Sequence, residues 1–200
     1  MTQLNRAVFI DRDGVLIKDG HALTRKEQIE FFDHAAAGLG LLRRSGFKLI
    51  LVTNQTVVAK GLLAYDAAWD LNQWILAQLA YQDVDAEFDR VMMCPHHPSA
   101  EVSEYRIDCD CRKPKSGMLT KSAMLEGIDL SKSFMIGDRP SDVHAGKKVG
   151  CQAIQIKDPI RPSAEFEKLI ETTIEYQPEF LVPDLVFSNF FEAAKYLGDT

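Results

Sequence analysis

The sequence predicts an α/β fold built on a doubly wound parallel sheet. The segments AVFI, LILV and FMI are apolar throughout, which is typical of parallel strands that are buried on both faces. Segments with helical periodicity separate them, and this alternation of strands and helices indicates helices packed on both sides of one sheet. No linker, internal repeat or low-complexity tract interrupts the 200 residues. We therefore expect one domain over residues 1–200, without a large cap domain.

The expected strands and helices alternate along the whole chain. The strands are assigned to 7–14, 47–55, 87–95, 133–142 (with its loop), 153–156 and the start of 184–197. The helices are assigned to 35–46, 65–82, 117–128, a helix end at 145–150 and the end of 184–197. Gly46 is placed to end the first helix, because glycine tolerates the backbone conformation found there. Two irregular stretches, 94–117 and 158–180, complete the chain.

The bulk composition argues against several functional classes. The formal net charge is −6 and the isoelectric point is about 5.4. Proteins that bind nucleic acids or membrane surfaces usually carry basic patches instead. No apolar run approaches the roughly 20 residues of a membrane span, and the amino end does not have the pattern of a signal peptide. We expect a cytoplasmic protein with no nucleic-acid or membrane partner.

Polar residues follow three of the predicted strands. Asp11 and Asp13 end the first strand, Thr53-Asn54-Gln55 the second, and Gly137-Asp138-Arg139 the fourth. The carboxyl ends of parallel strands meet at one edge of a sheet, where ligands bind. Carboxylates gathered there would repel one another, and Mg²⁺ resolves the repulsion because it prefers oxygen ligands and a substrate phosphate. The pattern predicts a magnesium site containing Asp11, Asp13 and Asp138.

Residues of the types that bind metals are paired within the stretch 94–117. They are Cys94, His96, His97, Cys109 and Cys111. In a reducing compartment, clustered cysteines indicate a metal site rather than disulfides. Three thiolates and one imidazole make a closed tetrahedral set for Zn²⁺, and the spacing leaves either histidine as the fourth ligand. The pattern predicts a zinc loop over residues 94–112 that places Arg112 and Lys113 at the mouth of the magnesium site.

These residues resemble the motifs of the haloacid dehalogenase-like (HAD) phosphatase superfamily. The four motifs correspond to Asp11-Arg12-Asp13-Gly14-Val15, Thr53-Asn54, Lys113 and Gly137-Asp138-Arg139-Pro140-Ser141-Asp142. The resemblance covers nearly the whole chain, and the first and fourth motifs together are specific. It implies a Rossmann-like HAD fold and a phosphoric monoester hydrolase.

The resemblance also implies a role for each motif residue. Asp11 would be the nucleophile that forms an aspartyl-phosphate. Asp13 would protonate the leaving oxygen and then deprotonate the attacking water. Thr53 would hydrogen-bond the phosphoryl group, and Lys113 would neutralise its charge. Asp138 would hold Mg²⁺ together with Asp11 and the backbone carbonyl of Asp13.

The cysteine-containing insertion narrows the resemblance to a zinc-containing branch of the superfamily. CPHHP followed by CDCRKP is similar to D-glycero-D-manno-heptose 1,7-bisphosphate 7-phosphatases and to histidinol-phosphate phosphatases, and the long interval between the ligand pairs favours the heptose enzymes. The branch implies His96 as the zinc ligand, a small phosphorylated sugar as substrate, and a monomer. The residues that it implies for substrate binding are Asp19, Gly20, His21, Ala22, Asn54, Gln55, Thr56, Arg112 and Arg139.

Two other functions stay open from the sequence. Val57 stands where heptose enzymes usually carry glycine, Ala22 where an aromatic is common, and Arg139 where lysine is frequent. GDR followed by aspartate is equally typical of histidinol-phosphate phosphatases, which are the nearest alternative. A catalytically silent, zinc-stabilised binding protein on the same scaffold is the other hypothesis, and the complete set of motif residues argues against it.

Overall fold

The computed structural model describes residues 4–20, 22–157 and 177–199. The strands within these ranges are β1 (Ala7–Ile10), β2 (Lys48–Asn54), β3 (Arg90–Cys94), β4 (Phe134–Gly137), β5 (Gln152–Ile156) and β6 (Leu185–Phe187). The helices within them are α1 (Ala35–Arg44), α2 (Thr56–Ala59), α3 (Tyr65–Gln82), α4 (Gly117–Glu126), α5 (Pro140–Lys148) and α6 (Phe190–Gly198). The strands form one parallel sheet in the order β3-β2-β1-β4-β5-β6.

The two faces of the sheet bury separate apolar clusters. Val8 and Ile10 of β1 belong to the cluster formed with α1, α3 and α6. Ala7 and Phe9 belong to the opposite cluster, formed with α4 and α5. Successive side chains of a strand point to opposite faces, so an entirely apolar strand serves both layers. The predicted doubly wound parallel sheet is confirmed.

The strand order places the first strand at the centre of the functional edge. β1 lies between β2 and β4, with Ile10 aligned with Leu51 on one side and with Ile136 on the other. The chain therefore moves outward in opposite directions from β1, and such a reversal opens a crevice beyond the carboxyl ends of the strands. The residues that follow β1 and β4 meet in this crevice.

Two helices differ from the expected elements. The short helix α2 begins directly after β2, where no helix was predicted. Helix α5 begins at Pro140, within the segment predicted as a strand and its loop. Proline is favoured in the first turn of a helix, and Asp142 accepts a hydrogen bond from the Arg139 backbone N–H at 3.0 Å. The helix starts early because its amino end is capped by its own third residue.

The long stretch between β3 and α4 is irregular, as predicted. All of its residues are described, and a short 3-10 turn at Ser103–Tyr105 is its one helical feature. The second irregular stretch is described from residue 177 onward, and its part at 158–176 lies outside the described residues. In the described ranges, no helix combines the length and the apolar character needed to cross a membrane.

Candidate active site

Three carboxylates meet at the carboxyl edge of the sheet. The Asp11 backbone N–H donates to the Ile136 carbonyl at 2.9 Å, so the β1–β4 ladder continues one residue past β1. This contact places Asp11 beside Asp138, which follows β4, and Asp142, which lies in the first turn of α5. Each contributes an oxygen, and these oxygens lie within 4.8 Å of one another. All three residues are buried, so the arrangement can hold a cation that prefers oxygen.

Lys113 lies inside this carboxylate cluster. Its ammonium group lies 2.9 Å from Asp11 Oδ1 and 2.6 Å from Asp142 Oδ1, and it donates to the Val52 carbonyl at 2.7 Å. The residue is 3% exposed, so it lies deeper than the predicted position at the mouth of the site. A buried ammonium needs an acceptor for each of its hydrogens, and these three acceptors lie beneath the mouth.

Asn54 fixes the backbone that carries Lys113. The Asn54 amide donates to the Lys113 carbonyl at 3.0 Å and accepts from the Lys113 N–H at 3.1 Å. This reciprocal pair joins the end of β2 to the loop that leaves the cysteine cluster. The sequence predicted Asn54 to bind substrate, and in the structure its amide holds both the N–H and the carbonyl of Lys113.

The electrostatics of the site favour protons on two of the acids. Burial raises the pKa of Asp11 to about 6 against the lowering effect of Lys113, with Asp142 and Asp13 raising it further. Burial raises the pKa of Asp138 to about 8, and the nearby Asp11 and Asp142 charges add to the shift. Burial alone would lower the pKa of Lys113, but Asp11 and Asp142 outweigh it and raise the pKa. A divalent cation would compete with these protons.

Gln55 joins the two other predicted catalytic side chains. Its Nε2 donates to Asp13 Oδ2 at 3.0 Å and to Thr53 Oγ1 at 2.8 Å. Thr53 is fully buried and Gln55 is 4% exposed. The side chain of Asp13 is 16% exposed, so it can face a ligand from this network. Gln55 was predicted to bind substrate, and both hydrogens of its amide are directed instead at protein side chains.

The predicted substrate loop is linked to the opposite side of the site by an ion pair. Asp19 Oδ2 lies 2.9 Å from Arg139 Nη2. The pair joins the segment after β1 to the residue before α5. Gly20 is exposed, and Ala22 is exposed with a φ of 56°. His21, also predicted to contact substrate, lies outside the described residues.

Arg112 connects the cysteine-containing loop to the start of α2. Its Nη1 donates to the His96 carbonyl at 3.0 Å and to Thr56 Oγ1 at 3.4 Å. Arg112 and Thr56 were both predicted to bind substrate, and the structure brings them together beside β2. A change in the conformation of the cysteine-containing loop would therefore move the Arg112 side chain and alter its contact with α2.

The four predicted zinc ligands form a tight cluster. The ligand atoms of Cys94, His96, Cys109 and Cys111 lie within 4.8 Å of one another. Cys111 Sγ lies 3.2 Å from Cys94 Sγ and 3.4 Å from His96 Nδ1. Hydrogen bonding to Cys94 lowers the pKa of the Cys111 thiol to about 5, which favours a thiolate. The donor set and its compactness suit a tetrahedral zinc ion with Zn–S distances of about 2.3 Å.

His97 is directed away from this cluster. Its Nδ1 accepts a hydrogen bond from the Ser99 backbone N–H at 3.0 Å, and its own backbone N–H donates to the Tyr105 carbonyl at 3.0 Å. Of the two histidines that the spacing left open, the structure brings His96 to the thiols.

Comparison with known proteins places the chain among phosphatases. A family model described as HAD-hydrolase-like matches residues 110–186. A D-glycero-beta-D-manno-heptose-1,7-bisphosphate 7-phosphatase from Haemophilus influenzae is 41% identical over 143 residues, which are 72% of this chain and 76% of the relative. The enzyme of the same name from Photorhabdus laumondii is 36% identical over 168 residues, which are 82% of this chain and 88% of the relative. The chain belongs to the heptose-bisphosphate phosphatase family of HAD-like hydrolases.

Solved structures agree with this family at the level of the fold. A D,D-heptose 1,7-bisphosphate phosphatase from B. bronchiseptica, complexed with magnesium and phosphate, aligns with a TM-score of 0.76 over 96% of this chain and 97% of its own, at 22% identity. A HAD-like phosphatase from Mesorhizobium loti aligns with a TM-score of 0.76 over 98% of this chain and 89% of its own, at 24% identity. The predicted superfamily and enzyme class are confirmed for this family member.

Sequence reasoning assigned no role to three buried polar residues of this heptose-bisphosphate phosphatase family member. Arg12 contacts Asp13, Gln55 and Asn72. Asn72 is a polar residue between apolar positions of α3, and that interruption was the one available signal. His144 Nδ1 donates to the Pro114 carbonyl at 3.1 Å, and Nε2 accepts from the Gln177 N–H at 3.0 Å. Nothing in the sequence around His144 indicated that it supports the residue next to Lys113.

Two glycines allow a matched test of how closely the first motif approaches the acids. Gly14 and Gly46 both have positive φ, 77° and 86°. A Cβ on Gly14 would lie 2.3 Å from Asp138 Oδ2, whereas a Cβ on Gly46 would meet nothing within 4 Å. We predict that Gly46→Ala lowers the free energy of unfolding by about 1–2 kcal/mol through backbone strain. Gly14→Ala should cost about 1–3 kcal/mol more because it also displaces Asp138. Equal losses in urea unfolding would contradict the close approach.

Proposed function

We propose that the protein is a Mg²⁺-dependent phosphatase that removes the 7-phosphate of D-glycero-β-D-manno-heptose 1,7-bisphosphate. The observation that carries the proposal is the pairing of Asp11 with Lys113 within a buried carboxylate cluster. Phosphoryl transfer through an aspartyl-phosphate needs a carboxylate nucleophile, and a fixed positive charge beside it stabilises the transferring group. The substrate and its anomer follow the names of the relatives that are 36–41% identical to this chain.

The reaction proceeds in two steps, which are formation and hydrolysis of an aspartyl-phosphate. A carboxylate oxygen of Asp11 forms a bond to phosphorus while the bond from phosphorus to the sugar oxygen breaks, and Asp13 gives its proton to that oxygen. A water molecule then attacks the phosphorus of the aspartyl-phosphate, Asp13 takes a proton from the water, and the Asp11 carboxylate is released. Lys113 offsets negative charge on the Asp11 side of the transferring group throughout.

The acids at the sheet edge fit a magnesium ion. Asp11, Asp138 and the backbone carbonyl of Asp13 would hold it, and bound Mg²⁺ would supply a positive charge for the phosphate oxygens. Asp142 helps to fix the position of these residues. One of its oxygens contacts Lys113, and the other accepts a hydrogen bond at the amino end of α5. The close approach of Gly14 to Asp138 leaves no space for a side chain beside the acids.

The raised pKa values predict that magnesium binding depends on pH. Mg²⁺ must displace the protons that burial favours on Asp11 and Asp138, whose pKa values are about 6 and about 8. Apparent affinity should rise by up to about tenfold per pH unit between pH 6 and pH 8, and the shift in melting temperature on adding Mg²⁺ should grow accordingly. Without Mg²⁺, the free energy of unfolding should fall over this range, because the folded state retains protons that the unfolded state has lost.

Thermal unfolding with and without Mg²⁺ at several pH values measures both effects. Asp138→Asn is the control, and it should remove most of the response to Mg²⁺ at every pH. A Mg²⁺ response that is the same at pH 6 and pH 8 in the unmodified protein would contradict proton competition at these acids.

We also propose that the cysteine cluster holds one structural zinc ion. His96 and His97 provide a matched pair for testing it, because they are neighbours and only His96 lies beside the thiols. His96→Ala should lower zinc content from about one ion per chain and loosen residues 94–112, since structural zinc contributes directly to folding. His97→Ala should retain the metal. Elemental analysis of the purified variants measures the content, and zinc loss in His97→Ala alone would contradict the assignment.

A side-by-side substrate assay tests the proposed reaction. Phosphate release with Mg²⁺ present is measured for both anomers of the heptose bisphosphate and for histidinol phosphate, with ³¹P NMR identifying the phosphate that leaves. We expect preferential release of the 7-phosphate from the β-anomer. Asp11→Asn should lower the rate by at least about 10⁴-fold, the order seen when a covalent nucleophile is removed.

Each other result of this assay has a defined meaning. Preference for histidinol phosphate would replace the proposed substrate with the alternative one. No turnover of any phosphate ester by the unmodified protein would favour a non-catalytic binding protein. Full activity in Asp11→Asn would contradict the nucleophile assignment.

A further inference from the structure

The side chain of Arg12 is a buried cation whose partners lie in three separate parts of the chain: after β1, after β2 and on α3. Arg12 is 2% exposed. A guanidinium group cannot lose its proton in a protein, so burial requires acceptors for its N–H groups. Asp13 is its acidic partner, and Gln55 and Asn72 accept through neutral amide oxygens.

Arg12 donates hydrogen bonds to both carboxylate oxygens of the neighbouring Asp13. Its Nη2 donates to Asp13 Oδ1 at 2.9 Å, and its Nε donates to Asp13 Oδ2 at 3.2 Å. A bidentate contact of this kind fixes the plane of a carboxylate, whereas a single hydrogen bond leaves it free to rotate. The orientation of the Asp13 carboxylate is therefore set by the orientation of the guanidinium.

The guanidinium is itself held in place by two amides. Nη1 donates to Asn72 Oδ1, and Asn72 is fully buried on α3 with its Nδ2 directed at Met93 Sδ, 3.2 Å away. Nη2 also donates to Gln55 Oε1 at 3.0 Å. Because Arg12 can only donate, the Gln55 oxygen must face it, and this leaves the Gln55 Nε2 to donate to Asp13.

The two oxygens of Asp13 are not equivalent in this network. Oδ2 accepts hydrogen bonds from Arg12 Nε and Gln55 Nε2, whereas Oδ1 accepts from Arg12 Nη2. A carboxylate oxygen has about two lone-pair sites, so Oδ2 is fully used and Oδ1 keeps one site. A proton can therefore reside on Oδ1 without breaking any of these contacts.

We propose that Arg12, anchored by Asn72, is a positioning residue that directs Asp13 Oδ1 at the reacting oxygen. The inference rests on the proposed function, in which Asp13 is the acid and base. In the first step the Oδ1–H bond breaks as an O–H bond forms on the leaving sugar oxygen. In the second step Oδ1 takes a proton from the attacking water.

Leaving groups of different basicity separate this role from a structural one. An alkoxide leaving from a sugar phosphate needs a proton, whereas p-nitrophenolate leaves readily without one. Arg12→Lys keeps the charge and loses the bidentate contact. We expect it to lower the rate on the sugar phosphate by about 10²-fold, within the range for general acid catalysis. The burst of p-nitrophenolate, which reports aspartyl-phosphate formation alone, should slow by less than about fivefold.

Three further variants complete the comparison. Asp13→Asn should show the same selective loss on the sugar phosphate. Asn72→Ser keeps Arg12 but removes the amide oxygen that accepts from its Nη1. It should show a smaller selective loss of the rate on the sugar phosphate. This variant replaces Arg12→Lys in the comparison if Arg12→Lys folds poorly. Arg6→Lys is the matched control, because Arg6 donates to the Ser45 carbonyl and stacks on Phe47, away from the site. It should leave both rates unchanged.

The outcomes distinguish this inference from the proposed substrate. Equal losses on both phosphate esters in Arg12→Lys and Asn72→Ser would overturn the positioning role, and so would no loss in either variant. Protein that rejects the heptose bisphosphate but hydrolyses another sugar phosphate would defeat the proposed substrate. The rates of the variants would then be measured on that sugar phosphate and on p-nitrophenyl phosphate. We would again expect a selective loss on the sugar phosphate.

Discussion

The contact between the buried Lys113 ammonium and the carboxylates of Asp11 and Asp142 is the interaction on which the site depends. Three acids beside one another at a sheet edge would be unstable without a positive charge among them. Removing one partner from a buried ion pair typically costs about 3–5 kcal/mol, because the remaining charge loses its compensation. The lysine thus makes possible an acidic crevice that can receive both a cation and a phosphate.

Several parts of the fold meet at this lysine. Asn54, at the end of β2, hydrogen-bonds the backbone of Lys113. Asp142, on α5, contacts the ammonium group of Lys113. Behind it, His144 hydrogen-bonds the carbonyl of Pro114 and the backbone of Gln177. Burial lowers the pKa of His144, which suits a neutral ring that donates with one nitrogen and accepts with the other. The position of one charge is thereby fixed by the sheet, helix α5 and the cysteine-containing loop.

The sequence allowed the sheet edge to be predicted, but not the depth of Lys113 or the partners of Arg12. Apolar strands that end in polar residues determine which side chains meet, because parallel strands share one carboxyl edge. The path of the irregular loop before Lys113 has no periodicity that could place it. Arg12 and Asn72 are 60 positions apart, and only packing of α3 joins them. Pro140 and Asp142 do signal the early start of α5, but the same residues are also typical of a loop that follows a strand.

The most direct test of the account is to trap the covalent intermediate. Asp13→Asn should still form the aspartyl-phosphate from p-nitrophenyl phosphate, since that leaving group needs no proton, but hydrolyse it slowly. Borohydride reduction of the quenched reaction, followed by peptide mass spectrometry, identifies the phosphorylated carboxylate. We predict conversion of Asp11 to homoserine. Reduction at another acid, or p-nitrophenolate release with no reducible acyl phosphate, would contradict it.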